Sequence, residues 1–273
     1  IKTVEGNILI DPIFSNHAGP IPGLVTAFAG TKHYHAGDMP PIDVLIISHD
    51  HYDHLDYRTL VKLKNHIKMA VVPMGVGSDL VYWGFDPKKI IELNWNQSVT
   101  LPGGLQVTAT PAQHRSNRTY SKENKTLWAS YVIQTAHYRL FYGGDGGYGP
   151  QFKQIGQKYG PFDLALLECG QYSPNWPWTH LWLGQTAQAA VDLQAVAGDE
   201  TGILTGPACP RVGPLGGADQ PPHGIRRAEL VNFFGRQQRV GRGIGDRGGR
   251  HEVGGDLVRS QLECDVPDEL VHC

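Results

Sequence analysis

Val44-Leu-Ile-Ile-Ser-His49-Asp50-His51-Tyr52-Asp53-His54-Leu55-Asp56 decides the fold. An apolar run of strand length ends in three histidines and Asp53 within six positions. His49 and His51, two residues apart, point the same way from an extended loop and suit chelation of one ion. Asp53 and His54, at the start of the next helical segment, suit a second ion beside it. At this chain's own frequencies a His-x-His-x-Asp-His string arises by chance on the order of two times in a thousand. The competing reading is a solvated polar loop.

Working outward, short apolar runs predict strands at Asn7 to Ile10, Val44 to Ser48, Met69 to Val72, Gln106 to Thr110, Trp128 to Gln134, Arg139 to Gly143 and Leu164 to Glu168. Several have no polar alternation, which fits strands buried on both faces. Tyr57 to His66 and Gly184 to Ala197 space their apolar residues as helices do. The expected class is α/β, a sheet core with helices on its outer faces.

Composition narrows the function. The chain has 273 residues, 40% apolar and 18% charged, which is a globular balance with no apolar run long enough to span a bilayer. The first residues lack the pattern of a secretory signal, and the expected location is cytoplasmic. The first predicted strand lies so near Ile1 that its start is expected to be missing. Cys169, Cys209, Cys264 and Cys273 show no paired spacing, so a disulfide framework is not expected. Cys169 reads as a small buried residue at the end of its strand. A net charge of -2 without a basic block argues against nucleic-acid partners.

Composition changes near Ala197. Residues 1–197 hold 11 Lys and 4 Arg; residues 198–273 hold no Lys, 9 Arg, no Trp or Tyr, and 15 of the 34 glycines. The expected organisation is one α/β domain over 1–197 and a Gly/Arg-rich segment over 198–273 that lacks any period able to bury one face. Its composition suits a flexible tail or translation out of the natural reading frame.

A metal pair needs more ligands, and His114 and Asp145 follow predicted strands at comparable places. A lone histidine there is more often a hydrogen-bonded loop residue, and an aspartate after Gly-Gly more often a turn former, so both depend on the cluster at His49.

Taken in order, ISHDHYDHLD (47–56), PAQH (111–114) and GGDGGYG (143–149) resemble the metallo-β-lactamase-fold hydrolases. The His-Tyr-Asp-His-Leu-Asp wording, Ile10-Asp11-Pro12-Ile13-Phe14 and Gly144-Asp145-Gly-Gly-Tyr148 resemble the N-acylphosphatidylethanolamine-hydrolysing phospholipase D branch and its bacterial relatives. The likeness runs from about Gly6 to Ala197. It implies a four-layer αββα sandwich with an incomplete or disordered C-terminal part. It also implies two zinc ions, the first held by His49, His51 and His114 and the second by Asp53 and His54, with Asp145 bridging. A final family histidine for the second zinc is missing after His180, so that site is expected to be incomplete; His223, His251 and His272 lack its context. If their codons run GGT-CCA-CTG-GG, Gly213 to Gly216 read one base later spell Val-His-Trp, which fits the reading-frame explanation.

His180, in Trp176-Pro-Trp178-Thr-His180, matches a family histidine beside the reacting group, against the plainer reading of a local hydrogen bond at a helix start. Asp53 and His180 are the expected catalytic residues. Tyr172, Trp176 and Trp178 are candidates for a substrate wall, or for packing of a proline-rich loop. His17, His33, His35, His66 and His137 read as surface residues, and Asp50 and Asp56 as supports for the ligand histidines, with helix capping as a further role for Asp56. The expected function is a zinc hydrolase that uses a metal-bridging hydroxide on an ester, first a phosphodiester of a small molecule or lipid with peripheral membrane contact. Alternatives are a lactonase or carboxylic ester hydrolase, and a metal-binding protein without turnover.

Overall fold

The computed structural model of the protein describes residues 1–195 except 22, 24, 29, 31, 32, 119–122 and 171–177. The segment 198–273, its reading-frame question, and Tyr172 and Trp176 therefore lie outside the described residues.

Strands β1 (Ile8–Ile10), β2 (Ile42–Ile46), β3 (Ile67–Pro73) and β4 (Ile90–Leu93) lie side by side in that order, all parallel. A second sheet takes β5 (Ser98–Thr100), β6 (Gln106–Thr110), β7 (Ser130–Gln134) and β8 (Arg139–Tyr142) antiparallel, with β9 (Leu164–Leu166) added parallel to β8. The helices are α1 (Tyr57–Leu63), α2 (Gly77–Tyr82), α3 (Gln151–Tyr159) and α4 (Leu183–Asp192).

The period-2 alternation of strand side chains sorts the core into layers. Val44 and Ile46 of β2 join Val71, Val107, Ala109, Tyr131, Ile133 and Leu140 between the sheets. Leu45 and Ile47 face the other way, against Leu60 and Leu63 of α1 and Leu80 of α2. In the second sheet Val132 and Phe141 face outward onto Phe152 and Ile155 of α3 and Ala189 of α4. The result is helix, sheet, sheet, helix: the αββα arrangement expected from the sequence.

Phe141 is fully buried, with ring centroids 6.3 Å from Phe152 and 5.6 Å from Phe162. Phe141→Ala is expected to cost about 3–5 kcal/mol by deleting this packing and leaving a cavity. Urea denaturation checks it as a lower midpoint at unchanged slope; a cost below about 1 kcal/mol would contradict the packing of the outer helical layer.

Some boundaries differ from those expected. β7 begins at Ser130 rather than Trp128, because the Trp128 carbonyl accepts from Trp95 Nε1 at 2.6 Å and its own indole donates to Ala112 O at 2.9 Å, both outside the ladder. α4 ends at Asp192, where Gln194 turns to a positive φ of 56°. β9 ends at Leu166, so Cys169 is an exposed loop residue and not a buried strand residue. No helix of the described residues is long and apolar enough to cross a membrane.

Candidate metal centre

The first sheet delivers the cluster. β2 stops at Ile46, and the chain runs through buried Ser48, His49 and Asp50 before a turn leads into α1. Asp56 caps that helix, its carboxylate accepting from Arg58 N at 3.1 Å. The second sheet delivers the rest: His114 follows β6, Asp145 follows β8, Glu168 follows β9, and His180 precedes α4. Gly144 lets the Asp145 turn close on this end of the fold. Its φ is +61°, and a Cβ there would lie 2.8 Å from Ser48 Cβ.

Ligand atoms of three groups converge within 4.8 Å: His49, His51 and His114; His49, His54 and Asp145; and Asp145, Glu168 and His180. In the first group His51 Nδ1 lies 2.9 Å from His49 Nε2 and 3.2 Å from His114 Nε2. The far nitrogens are occupied. His114 Nδ1 donates to Thr179 O at 2.9 Å, and His49 Nδ1 donates to Ser48 Oγ at 2.9 Å, whose own hydrogen goes to Asp11. Two bare Nε2 atoms thus meet one Nδ1 that has at most one proton to share. A divalent cation would satisfy all three, and nitrogens around a tetrahedral zinc with bonds of about 2.0–2.1 Å sit about 3.3 Å apart. The residues fit a metal.

Electrostatics agree with this. Burial pushes the imidazoliums of His49, His51 and His114 down, His114 to about 4, so the rings are neutral near pH 7 and open to a cation. His54 behaves differently. Burial opposes its charge, but the carboxylates of Asp145 and Asp11 outweigh burial and hold it well above the usual histidine range. Its Nδ1 lies 2.7 Å from Asp11 Oδ2 and its Nε2 3.2 Å from Asp145 Oδ2. The Nε2 proton is the one a cation would displace. Burial favours a neutral Asp145, yet His54, His114 and His180 around it hold the carboxyl below the ordinary range.

Of the residues expected from the sequence, His49, His51, His54, His114, Asp145 and His180 come together. Asp53 lies at the rim: it belongs to none of the three groups and its side chain is 53% exposed, while its carboxylate reaches to 3.8 Å from His54 Nε2. His54 is 13% exposed beside it, so Asp53 lies at the solvent side of the cluster. Asp50 does not support a ligand ring; its carboxylate accepts from Asn117 N at 3.0 Å and Thr126 Oγ1 at 2.9 Å. Trp178 is exposed.

Sequence reasoning missed Asp11 and Glu168. Asp11, at a positive φ of 41°, accepts from Ser48 N at 2.8 Å, Ser48 Oγ, His54 Nδ1 and Tyr142 Oη at 2.6 Å. It orients His54 directly and His49 through Ser48. Glu168 accepts from His180 Nδ1 at 2.8 Å and Gly146 N at 2.6 Å. The available signal was shared by both: each carboxylate follows a strand, as the expected ligands do.

Comparison with known proteins matches the chain to a family. Residues 6–198 match the beta-lactamase superfamily domain. An uncharacterized Mycobacterium tuberculosis protein is 39% identical over 192 residues, covering 68% of this chain and 50% of that protein. N-acyl-phosphatidylethanolamine-hydrolyzing phospholipase D 1 of Caenorhabditis elegans is 35% identical over 189 residues, covering 63% of this chain and 51% of that protein. The chain thus spans about half the length of the curated relatives it matches. Among solved structures, Igni18, a metallo hydrolase from Ignicoccus hospitalis, superposes with a TM-score of 0.50 at 21% identity, covering 68% of this chain and 70% of that one. With most of its length matching that domain, and with two sheets between helical layers and histidines gathered at their ends, the chain belongs to the beta-lactamase superfamily and has the metallo-β-lactamase fold.

Proposed function

We propose that the protein is a zinc-dependent hydrolase of phosphodiesters, with a lipid or lipid-like ester as substrate. The meeting of two bare imidazole nitrogens with His51 Nδ1 carries the metal half of this reading. His49, His51 and His114 would hold one cation; His54 and Asp145 would hold a second, with Asp145 shared between them and Asp53 reaching it by side-chain rotation. Bound there, the cations supply Lewis-acid polarisation of a substrate oxygen and lower the pKa of a water. Asp11, Ser48 and the Thr179 carbonyl keep the ligand rings turned toward the centre. His180, held by Glu168, faces the same centre from the α4 side and is the side chain placed to meet substrate.

The relative from Caenorhabditis elegans, named for a phosphodiester lipid, supports the substrate class. So do the exposed apolar side chains of Ile13, Ile21, Val25 and Phe28 after Asp11, which suit contact with acyl chains or a bilayer surface. Trp178, with Tyr172 and Trp176, is proposed for the same substrate wall.

The test is turnover by the zinc-loaded full chain on bis-p-nitrophenyl phosphate and a lipid phosphodiester beside a lactone panel. Phosphodiester cleavage that requires zinc supports the reading. Lactone opening alone would replace it with carboxylic ester hydrolysis, and zinc binding without turnover on either would leave a metal-binding protein.

A further inference from the structure

We propose that Glu168 is a positioning residue that fixes His180 in the Nδ1–H tautomer and so leaves Nε2 to meet the substrate. The inference rests on the hydrolase reading above. Its geometric basis is that two donors converge on one carboxylate: Gly146 N reaches Oε1 at 2.6 Å, and His180 Nδ1 reaches Oε2 at 2.8 Å. The Gly146 amide is backbone and has only a hydrogen to offer, so Oε1 is committed. The side chain of Glu168 is 13% exposed, which excludes much of the competing water.

The same residue ties both parts of the centre to the end of β9. Through Gly146 it holds the turn bearing Asp145, and through His180 it holds the ring that closes the site from the start of α4. Its own carbonyl accepts from Thr186 Oγ1 at 2.9 Å, anchoring α4 to the same point. With Nδ1 engaged by Glu168 and 3.9 Å from Asp145 Oδ2, Nε2 is the ring nitrogen left to meet a bound ester, and the ring centroid lies 5.4 Å from that of His114. A glutamate suits this place because it has two acceptor oxygens and no hydrogen. Glutamine keeps the shape but offers one acceptor. If that oxygen serves Gly146, the NH2 group faces His180 Nδ1, and the ring must move its proton to Nε2.

Glu168→Gln therefore separates positioning from bulk structure. Long-range 15N–1H correlation spectra of the zinc-loaded full chain should show His180 with Nδ1 protonated in the wild type and with the proton on Nε2 in the variant. On the phosphodiester reporter, kcat should fall about 10- to 100-fold with KM within twofold and zinc content unchanged. Glu168→Gln combined with His180→Ala should be no slower than His180→Ala alone, since one residue acts through the other. Wild-type protein with an unprotonated Nδ1, wild-type kcat in Glu168→Gln, or multiplied losses in the double variant would each overturn the proposal. The wild-type spectrum requires neither a folded variant nor a substrate. If no phosphodiester is cleaved, the functional reading fails while the tautomer still decides the role of Glu168.

Discussion

His51→Ala is expected to lower the proposed phosphodiester hydrolysis by about 10³-fold or more and to remove tight binding of one metal ion per chain. His51 Nδ1 is the atom on which the His49 and His114 nitrogens converge, so its loss leaves two ligands where three had been. Lewis-acid stabilisation of a transition state is worth several kcal/mol, and each 1.36 kcal/mol is a factor of ten in rate. The fold should survive, because His51 lies in the loop beyond β2 and contributes to none of the three apolar clusters. His137→Ala, at an exposed position, serves as the control and should retain wild-type rate and metal content. Elemental analysis beside steady-state rates makes the measurement. Full activity in His51→Ala would remove the three-histidine site from the mechanism.

Asp11→Asn should have the second largest effect, and it should act on metal and stability together. The carboxylate is 5% exposed and accepts from four donors, on Ser48, His54 and Tyr142. An amide has one acceptor oxygen and sets its own hydrogens against the donors that remain. Each buried donor left without a partner costs about 1–3 kcal/mol, so a loss of about 3 kcal/mol or more is expected in urea denaturation of the metal-free protein. Asparagine tolerates the positive φ at this position, which keeps backbone strain out of the comparison. Metal titration should show a 10- to 100-fold weaker second site, because His54 loses the partner that orients it. An unchanged second affinity would mean that Asp11 supports the fold but not the metal.

Much of this was legible in the sequence where the signal was local. The continuous apolar run 44–47, which begins in β2, leads into the histidine cluster, and the two layers it separates follow from alternation along Val44, Leu45, Ile46 and Ile47. β4, β5, α2 and α3 were not anticipated. β5 is three residues long with both ends exposed, and α3 buries only Phe152, Ile155 and Gly156, too few apolar positions to stand out as a helical stripe. At the site, His49, His51 and His54 were legible because they lie within six residues. Asp11 bonds to residues 37 and 43 positions away, and Glu168 gains its role from a histidine 12 positions on, so only the folded chain shows what either carboxylate does. That Asp53 is half exposed while neighbouring His54 is buried also depends on local backbone geometry that residue spacing does not encode.

The central claim is that these histidines and Asp145 cage a pair of divalent cations. It is tested most directly by anomalous diffraction at the zinc edge from crystals of zinc-loaded protein. The account predicts two peaks. One lies within bonding distance of His49 Nε2, His51 Nδ1 and His114 Nε2, and the other lies beside His54 Nε2, with Asp145 between them. Absence of a peak at the first position in fully loaded crystals would contradict it.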